Sequence, residues 1–512
     1  VGLLAIVAPR IGGAGLEPVR TDSGLVSGAQ GVDPAVRVFK GIPFAAPPVG
    51  DLRWREPRPV AKWDGVRKAE AFGDNCMQRR ADGGAFPPYA GERAAPRMSE
   101  DCLYLNVYTA ATSSSGRQPV MVWIHGGAWT SGAGAIYDGE ALAKKGIVYV
   151  SVNYRLGIFG FFAHPELTSQ SPHHSSGNYA LLDQIAALQW VQRNIAAFGG
   201  DPARVTIFGE SAGSWSVNNL VGSPLAKGLF NRAIGESGAR FSITTTLAEA
   251  EQEGVKFTAS SGASSLADLR ARPAEALNDA RDGAGGARVS LVDGWVLPAT
   301  MWDLFNTGRQ NDVPTLIGSN SDEGSIFTPA SVTASAFRQQ TERRYGADAA
   351  AILASYPYAS DEEARLAQAH SMRDQTFGWE MRTWARLQTR TGKSKVYLYY
   401  FSHVPPMSNA SWLGAQHGAE IPYALNWPNS PFSRQVTWAD ADRKLADTVS
   451  SYWVDFATSG DPNGKALPPW PAFDTKNERA LTIGDALTMT QVPNASALDV
   501  WDAVMKKRVA GH

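Results

Sequence analysis

The chain of 512 residues is poor in cysteine, in net charge and in long apolar runs. Its two cysteines are too few for a zinc ribbon or an iron–sulfur cluster, though enough for one disulfide. Lys plus Arg number 48 and Asp plus Glu 49, a net charge of −1. Without a basic excess to neutralise phosphates, nucleic acid is not an expected partner. No apolar run reaches the roughly 20 residues of a membrane span. Residues 1–8 (VGLLAIVA) come nearest, followed by Pro9, Arg10 and a glycine-rich stretch. They resemble the truncated core of a secretion signal, and a short strand is the other reading. Residues 1–16 are therefore expected to be a signal remnant or a flexible N-terminus.

What the chain has is core-forming material. Apolar residues make up 44%, with 16 Trp, 15 Tyr and 20 Phe, which excludes wholesale disorder. Length alone suggests three or four domains at about 150 residues each. No internal repeat or long linker divides the chain, so residues 17–512 read as one domain. Segments 21–28 (TDSGLVSG) and 36–41 (VRVFKG) alternate and read as antiparallel strands. A proline-rich loop follows, to Trp63. Residues 103–107, 120–124 (VMVWI), 147–152 (IVYVSV), 205–208 (VTIF), 316–318 and 395–401 (KVYLYYF) are short apolar runs, as strands buried on both faces look. Residues 179–195 place Leu182, Ile185, Leu188, Val191 and Ile195 on one helical face. Residues 241–310 and 330–394 are more helical and charged, additions around a sheet. The pattern predicts an α/β fold with a mostly parallel sheet.

The sharpest local signal is Gly209-Glu210-Ser211-Ala212-Gly213, directly after VTIF and before a plausible helix. G-x-S-x-G in that setting is a nucleophile elbow, a turn too tight for a Cβ at either glycine. It makes Ser211 the candidate nucleophile, with Glu210 beside it in support. Gly235-Glu236-Ser237-Gly238 is a near-copy without the second glycine in register. Ser237 reads as a supporting hydroxyl or a plain structural serine. Strand VMVWI runs into His125-Gly126-Gly127-Ala128-Trp129. Glycines there let backbone amides converge on one spot, as the oxyanion of acyl transfer requires. The expected donors are the amides of Gly127, Ala128 and Ala212, with His125 ordering the loop.

A strand–nucleophile–helix unit of this kind is followed along the chain by an acid and then a histidine. His417 lies between glycines in Gly414-Ala415-Gln416-His417-Gly418, shortly after KVYLYYF, and is favoured over His403 as the base. The acid falls in Ser321-Asp322-Glu323-Gly324. Spacing alone does not choose between Asp322 and Glu323.

Together these motifs resemble the type-B carboxylesterase and cholinesterase family of the α/β-hydrolase fold. The resemblance runs from about Val19 to Phe473. It rests on GIPFAAPPVGDLRW, EDCLYLNV, WIHGGAW, NYRLG, GNYALLDQ, FGESAG, SDEGS, GAQHGAEIPY and FATSGDPN. It implies a central twisted sheet with helices on both faces and helical insertions forming a gorge. It also implies Glu323 as the acid, His417 as the base, and a disulfide between Cys76 and Cys102. Ion pairs are implied for Arg53 with Glu100 and for Arg155 with Asp183. Phe377, in DQTFGW, matches a segment that helps to line the acyl pocket, and Trp129, Phe159 and Phe161 are expected to add to an apolar cleft.

Two departures narrow the expectation. Residues 77–101 contain no Trp, and Glu92 lies near where cholinesterases place one, so a cation–π grip on choline esters is not expected. That loop instead carries Arg79, Arg80, Arg93 and Arg97. They could attract an anionic ester, although a solvated loop is the simpler reading. Ala128 stands at the third position of the glycine run; its methyl would narrow access for esters of tertiary alcohols.

The expectation is thus a serine carboxylesterase acting on a small ester, with no metal or organic cofactor. It would be a monomer or weak homodimer, secreted or periplasmic. A lipase, lactonase or transacylase on the same residues is the nearer alternative, and a non-catalytic binding protein the remoter one. Aryl esters, polycarboxylate side-chain esters of natural toxins and synthetic xenobiotics are all candidate substrates.

Overall fold

A strand with apolar residues on both faces is stable only inside a sheet covered on both sides. The computed structural model describes residues 17–78, 97–242, 245–279, 289–407, 409–428, 430, 437–465 and 467–510. Residues 1–16, Arg79, Arg80, Glu92 and Arg93 lie outside them. Eleven strands form the main sheet. In chain order they are β1 (Ala29–Gln30), β2 (Arg37–Pro43), β3 (Tyr104–Thr109), β4 (Gln118–Ile124), β5 (Val148–Val152) and β6 (Gly200–Glu210). Then follow β7 (Arg232–Glu236), β8 (Thr315–Asn320), β9 (Val396–Phe401), β10 (Arg479–Ile483) and β11 (Leu487–Gln491). The spatial order is β11-β10-β9-β8-β7-β6-β4-β5-β3-β2-β1. From β5 to β10 every neighbouring pair is parallel, and antiparallel strands finish both edges. This is the mostly parallel sheet of an α/β-hydrolase fold.

Alternation along β4 shows why the runs are unbroken. Val120, Val122 and Ile124 join one hydrophobic cluster, while Met121 and Trp123 join the other on the opposite face. The first face is covered by α1 (Tyr179–Asn194) and α2 (Ala212–Gly222), and the second by α4 (Asp440–Ser459), with α3 (Trp379–Thr391) packed on the first. Each buried Val or Leu contributes about 1.5–3 kcal/mol, so the paired faces anchor the strands firmly. The face expected for α1 is buried, but so are Ala180, Asp183, Gln184 and Trp190 on its other sides, because the helix is enclosed by neighbours all round.

Segments 21–28 and 36–41 do hold strands with antiparallel neighbours, but in different sheets. Leu25–Ser27 pairs with Val19–Arg20 in a separate three-stranded sheet, whereas Arg37–Pro43 belongs to the main one. Strand β6 starts five residues earlier than VTIF, since Gly200 pairs with Gln118 ahead of an irregularity in register. Cys76 and Cys102 form a disulfide, with Cα atoms 4.9 Å apart. Arg53 Nε donates to Glu100 at 2.6 Å, and Arg155 Nη2 to Asp183 at 2.7 Å. No helix among the described residues is long and apolar enough to cross a membrane.

Candidate active site

The expected site residues come from the carboxyl ends of four parallel strands, the edge where sheets of this kind leave room for ligands. Gly127 and Ala128 follow β4, Ser211 and Ala212 follow β6, Glu323 follows β8, and His417 follows β9.

Local sterics explain the elbow. A Cβ on Gly209 would sit 2.4 Å from the Ile124 carbonyl oxygen, and one on Gly213 would sit 2.0 Å from the same atom. Both positions therefore require glycine. Between them Ser211 is forced to φ 57°, ψ −122°, a conformation costing of order 1–3 kcal/mol. Its backbone is held on both sides: Ser211 N donates to Glu236 O at 2.8 Å, and Trp215 N donates to Ser211 O at 2.9 Å. The side chain stands at the N-terminus of α2, where the unpaired amides favour negative charge.

In the loop expected to form the oxyanion hole, Gly127, Ala128 and Trp129 have φ of 100°, 53° and 57°. This left-handed run curls the loop against Ser211. A Cβ on Gly126 would lie 3.1 Å from Ser211 Cβ. His125 stacks on Tyr154 at 4.4 Å, and its buried ring is pulled down to about 4 by desolvation, against a hydrogen bond to Gly126 O. It thus stays neutral while it packs under the loop. Trp129, expected in the cleft, is instead fully enclosed, with its indole N–H donated to Ser216 at 2.8 Å. Phe161 is likewise buried against Trp129, and Phe159 is buried as well, so none of the three presents an open surface.

His417 Nδ1 lies 2.6 Å from Glu323 Oε2, and both side chains are buried. The other Glu323 oxygen accepts Asn320 N–H at 2.7 Å, which fixes the carboxylate plane. Asp322 turns the other way, accepting Ala415 N–H at 2.9 Å. Geometry therefore separates the two acids that spacing left open. His403 is bound between Asp442 and Asp485, away from this cluster. His417 Nε2 lies 3.2 Å from Glu210 Oε1, without the alignment of a hydrogen bond. Burial alone would lower this histidine, but the charges of Glu210 and Glu323 outweigh it and hold the ring above its ordinary range.

Three further buried acids surround the pair, and two of these had not been singled out as site residues. Burial lifts Glu210 to about 7, offset by His417 and reinforced by Glu323. Burial also lifts Glu236 to about 8, against a hydrogen bond from Trp453 at 2.8 Å. Glu420 is raised well above the carboxylate range by burial and by the other three acids. Ser237 Oγ donates to Glu420 at 3.4 Å rather than to Glu323. Asn320 Nδ2 also donates to Glu420. Glu236 and Glu420 both lay in quoted strings, Gly235-Glu236-Ser237-Gly238 and GAQHGAEIPY, but nothing in either string marks their partners.

An aromatic wall stands over the histidine. Phe377 is 4.7 Å from His417, and Phe327, which no motif marked, is 5.3 Å away and 41% exposed. Among the described residues no cluster of His, Cys, Asp and Glu is arranged to hold a metal ion. The arrangement brings a buried imidazole–carboxylate pair up to the residue that precedes a serine of strained conformation.

Comparison with known proteins follows the same lines. A profile described as "Carboxylesterase family" matches residues 17–501. A fumonisin B1 esterase of Sphingopyxis macrogoltabida is 40% identical, over 90% of this chain and 85% of that protein. A liver carboxylesterase of Sus scrofa is 34% identical, over 94% of this chain and 91% of its own. Among solved structures, a PNB esterase superposes with a TM-score of 0.80 at 33% identity, covering 95% of this chain and 99% of that one.

Proposed function

Because the chain belongs to the carboxylesterase family and is a carboxylic-ester hydrolase, we propose that it works through an acyl-enzyme on Ser211. His417 takes the serine proton as Oγ attacks the ester carbonyl, forming a tetrahedral intermediate. The amides of Gly127, Ala128 and Ala212 receive the oxyanion, each donor worth about 3 kcal/mol in reactions of this kind. Glu323 keeps the ring proton on Nδ1 and stabilises the imidazolium. His417 then gives its proton to the leaving alcohol. Water activated by the same ring releases the acid. The observation that carries this reading is the buried 2.6 Å His417–Glu323 pair beside the elbow.

A fluorophosphonate probe tests it. The probe should label one peptide, containing Ser211, and abolish turnover of p-nitrophenyl butyrate. The Ser211→Ala protein should fold, resist labelling and lose several orders of magnitude of activity. Labelling elsewhere with activity lost, or full activity in Ser211→Ala, overturns the assignment.

The reading extends to organisation and setting. Residues 17–512 form one domain, working as a monomer or weak homodimer. The Cys76–Cys102 bridge suits an oxidising compartment, which favours a secreted or periplasmic enzyme. The likeness to a fumonisin B1 esterase makes that toxin one candidate substrate.

A further inference from the structure

Five arginines are buried among the described residues: Arg53, Arg155, Arg240, Arg373 and Arg382. Four have a carboxylate against their guanidinium. Arg53 sets Nε and Nη2 against Glu100, Arg155 sets the same two atoms against Asp183, and Arg373 sets them against Asp374. Arg382 Nε takes Glu478 at 2.7 Å. Arg240 differs: its Nε and Nη2 are buried and have no hydrogen-bond partner. That edge of a guanidinium matches the two oxygens of a carboxylate.

The position of this vacant edge is informative. The Arg240 guanidinium lies 5.5 Å from the Trp129 ring and 5.4 Å from the Trp215 ring. Trp129 directly follows Ala128 of the oxyanion loop, and Trp215 lies one helical turn beyond Ser211. Arg240 itself is two residues after Gly238, whose Cβ would stand 2.7 Å from Ser211 O. The charge that offsets it is Glu380 on α3, whose oxygens are taken by Phe241 N, Ser242 N and Ser242 Oγ. Burial lowers Arg240 to about 10, so it remains a cation at neutral pH. A buried polar group left without a partner calls for an explanation, and here it lies against Trp129 and Trp215, which belong to the segments that carry Ala128 and Ser211.

We propose that Arg240 receives a free carboxylate of the substrate, so that the enzyme prefers esters carrying an acid group close to the scissile bond. This rests on Ser211 being the nucleophile. A planar carboxylate would dock on Nε and Nη2 as Glu100 does on Arg53. The two tryptophans flank the pair and exclude water, which strengthens it. The acid group can sit in either half of the ester, and substrates separate the two cases. Monoesters of a dicarboxylic acid carry it in the acyl part, and carboxyphenyl esters carry it in the alcohol part.

The test compares kcat/KM for p-nitrophenyl hydrogen glutarate with that for p-nitrophenyl butyrate, and for meta-carboxyphenyl butyrate with that for phenyl butyrate. The wild-type enzyme should favour the acidic ester by about tenfold or more in one of the two pairs, as a charge-assisted bidentate contact implies. Arg240→Gln should remove that ratio, and Arg240→Lys should keep part of it, since the charge remains but the fork does not. Free glutarate or benzoate, matching the preferred half, should inhibit the wild-type enzyme competitively. A wild-type enzyme indifferent to the acid group in both pairs overturns the proposal, whatever the variants do. So does a ratio unmoved in a folded Arg240→Gln protein, the outcome if the arginine only binds internal water. If instead p-nitrophenyl butyrate is not turned over and Ser211 is not labelled, the nucleophile assignment itself has failed.

Discussion

Replacing Glu323 by glutamine isolates the charge behind His417. The side chain keeps its shape, so the fold should survive. In the proposed mechanism His417 becomes an imidazolium next to that carboxylate when Ser211 attacks; Nδ1 and Oε2 are 2.6 Å apart. With charge centres about 3.5 Å apart and an effective dielectric of about 20, the attraction is about 5 kcal/mol, or three to four decades in rate. A glutamine amide can also donate to Nδ1, which puts the ring proton on Nε2, where it blocks uptake of the serine proton. Asp322→Asn is the matched control. Asp322 accepts from Ala415 N and Ser321 Oγ and does not touch His417, so its loss should cost less than about tenfold. The assay is kcat/KM on p-nitrophenyl butyrate, with thermal midpoints measured to show that both variants are folded. A Glu323→Gln enzyme within tenfold of wild type, or an Asp322→Asn enzyme equally impaired, would refute the reasoning.

Other outcomes follow from the same geometry. A base works only when neutral, and Glu210 and Glu323 hold His417 above its ordinary range, so the acid limb of kcat/KM should lie above pH 6.5. Glu210→Gln removes one of those charges and should move the limb to lower pH; a limb that stays put would contradict the assignment. Replacing Cys76 and Cys102 by serine opens a closed loop of 26 residues' separation and should lower stability by up to roughly 3 kcal/mol in denaturant unfolding. Unchanged unfolding would show that the bridge contributes nothing. Ala128 sits at φ 53°, where glycine is favoured by roughly 1–2 kcal/mol. Ala128→Gly should therefore raise stability and widen access, with a gain in turnover of tertiary-alcohol esters over ethyl esters; no gain would place the restriction elsewhere.

The sheet was legible because fully buried strands leave unbroken apolar runs, and β4, β5 and β9 lie where those runs are. Strand ends were less legible. Gly200 pairs through its backbone and has no side chain to announce it. Ser211 and His417 stood out as candidates from the glycines around them, since these mark backbone that must pass close to something else. The choice between Asp322 and Glu323 was not available locally: it depends on how β8 and β9 present two loops to each other. Trp129 misled because an aromatic residue beside an oxyanion loop reads the same whether it faces a cleft or the core, and only Ser216 and Phe161 decide that. Glu236, Glu420 and Arg240 were opaque for a related reason. Each acquires its meaning from side chains brought in from other strands and helices.

The order of the site along the chain has a consequence for the protein's synthesis. Ser211 and its elbow are synthesised first, and His417 follows 206 residues later, in a loop beyond β9, the strand that lies between β8 and β10. At ribosomal rates of about 5–20 residues per second, that gap is roughly 10–40 s. During it a chain that already carries the proposed nucleophile lacks its proposed base. On the proposed roles of Ser211 and His417, activity towards esters is expected only once β9 has entered the sheet and carried the His417 loop to the elbow.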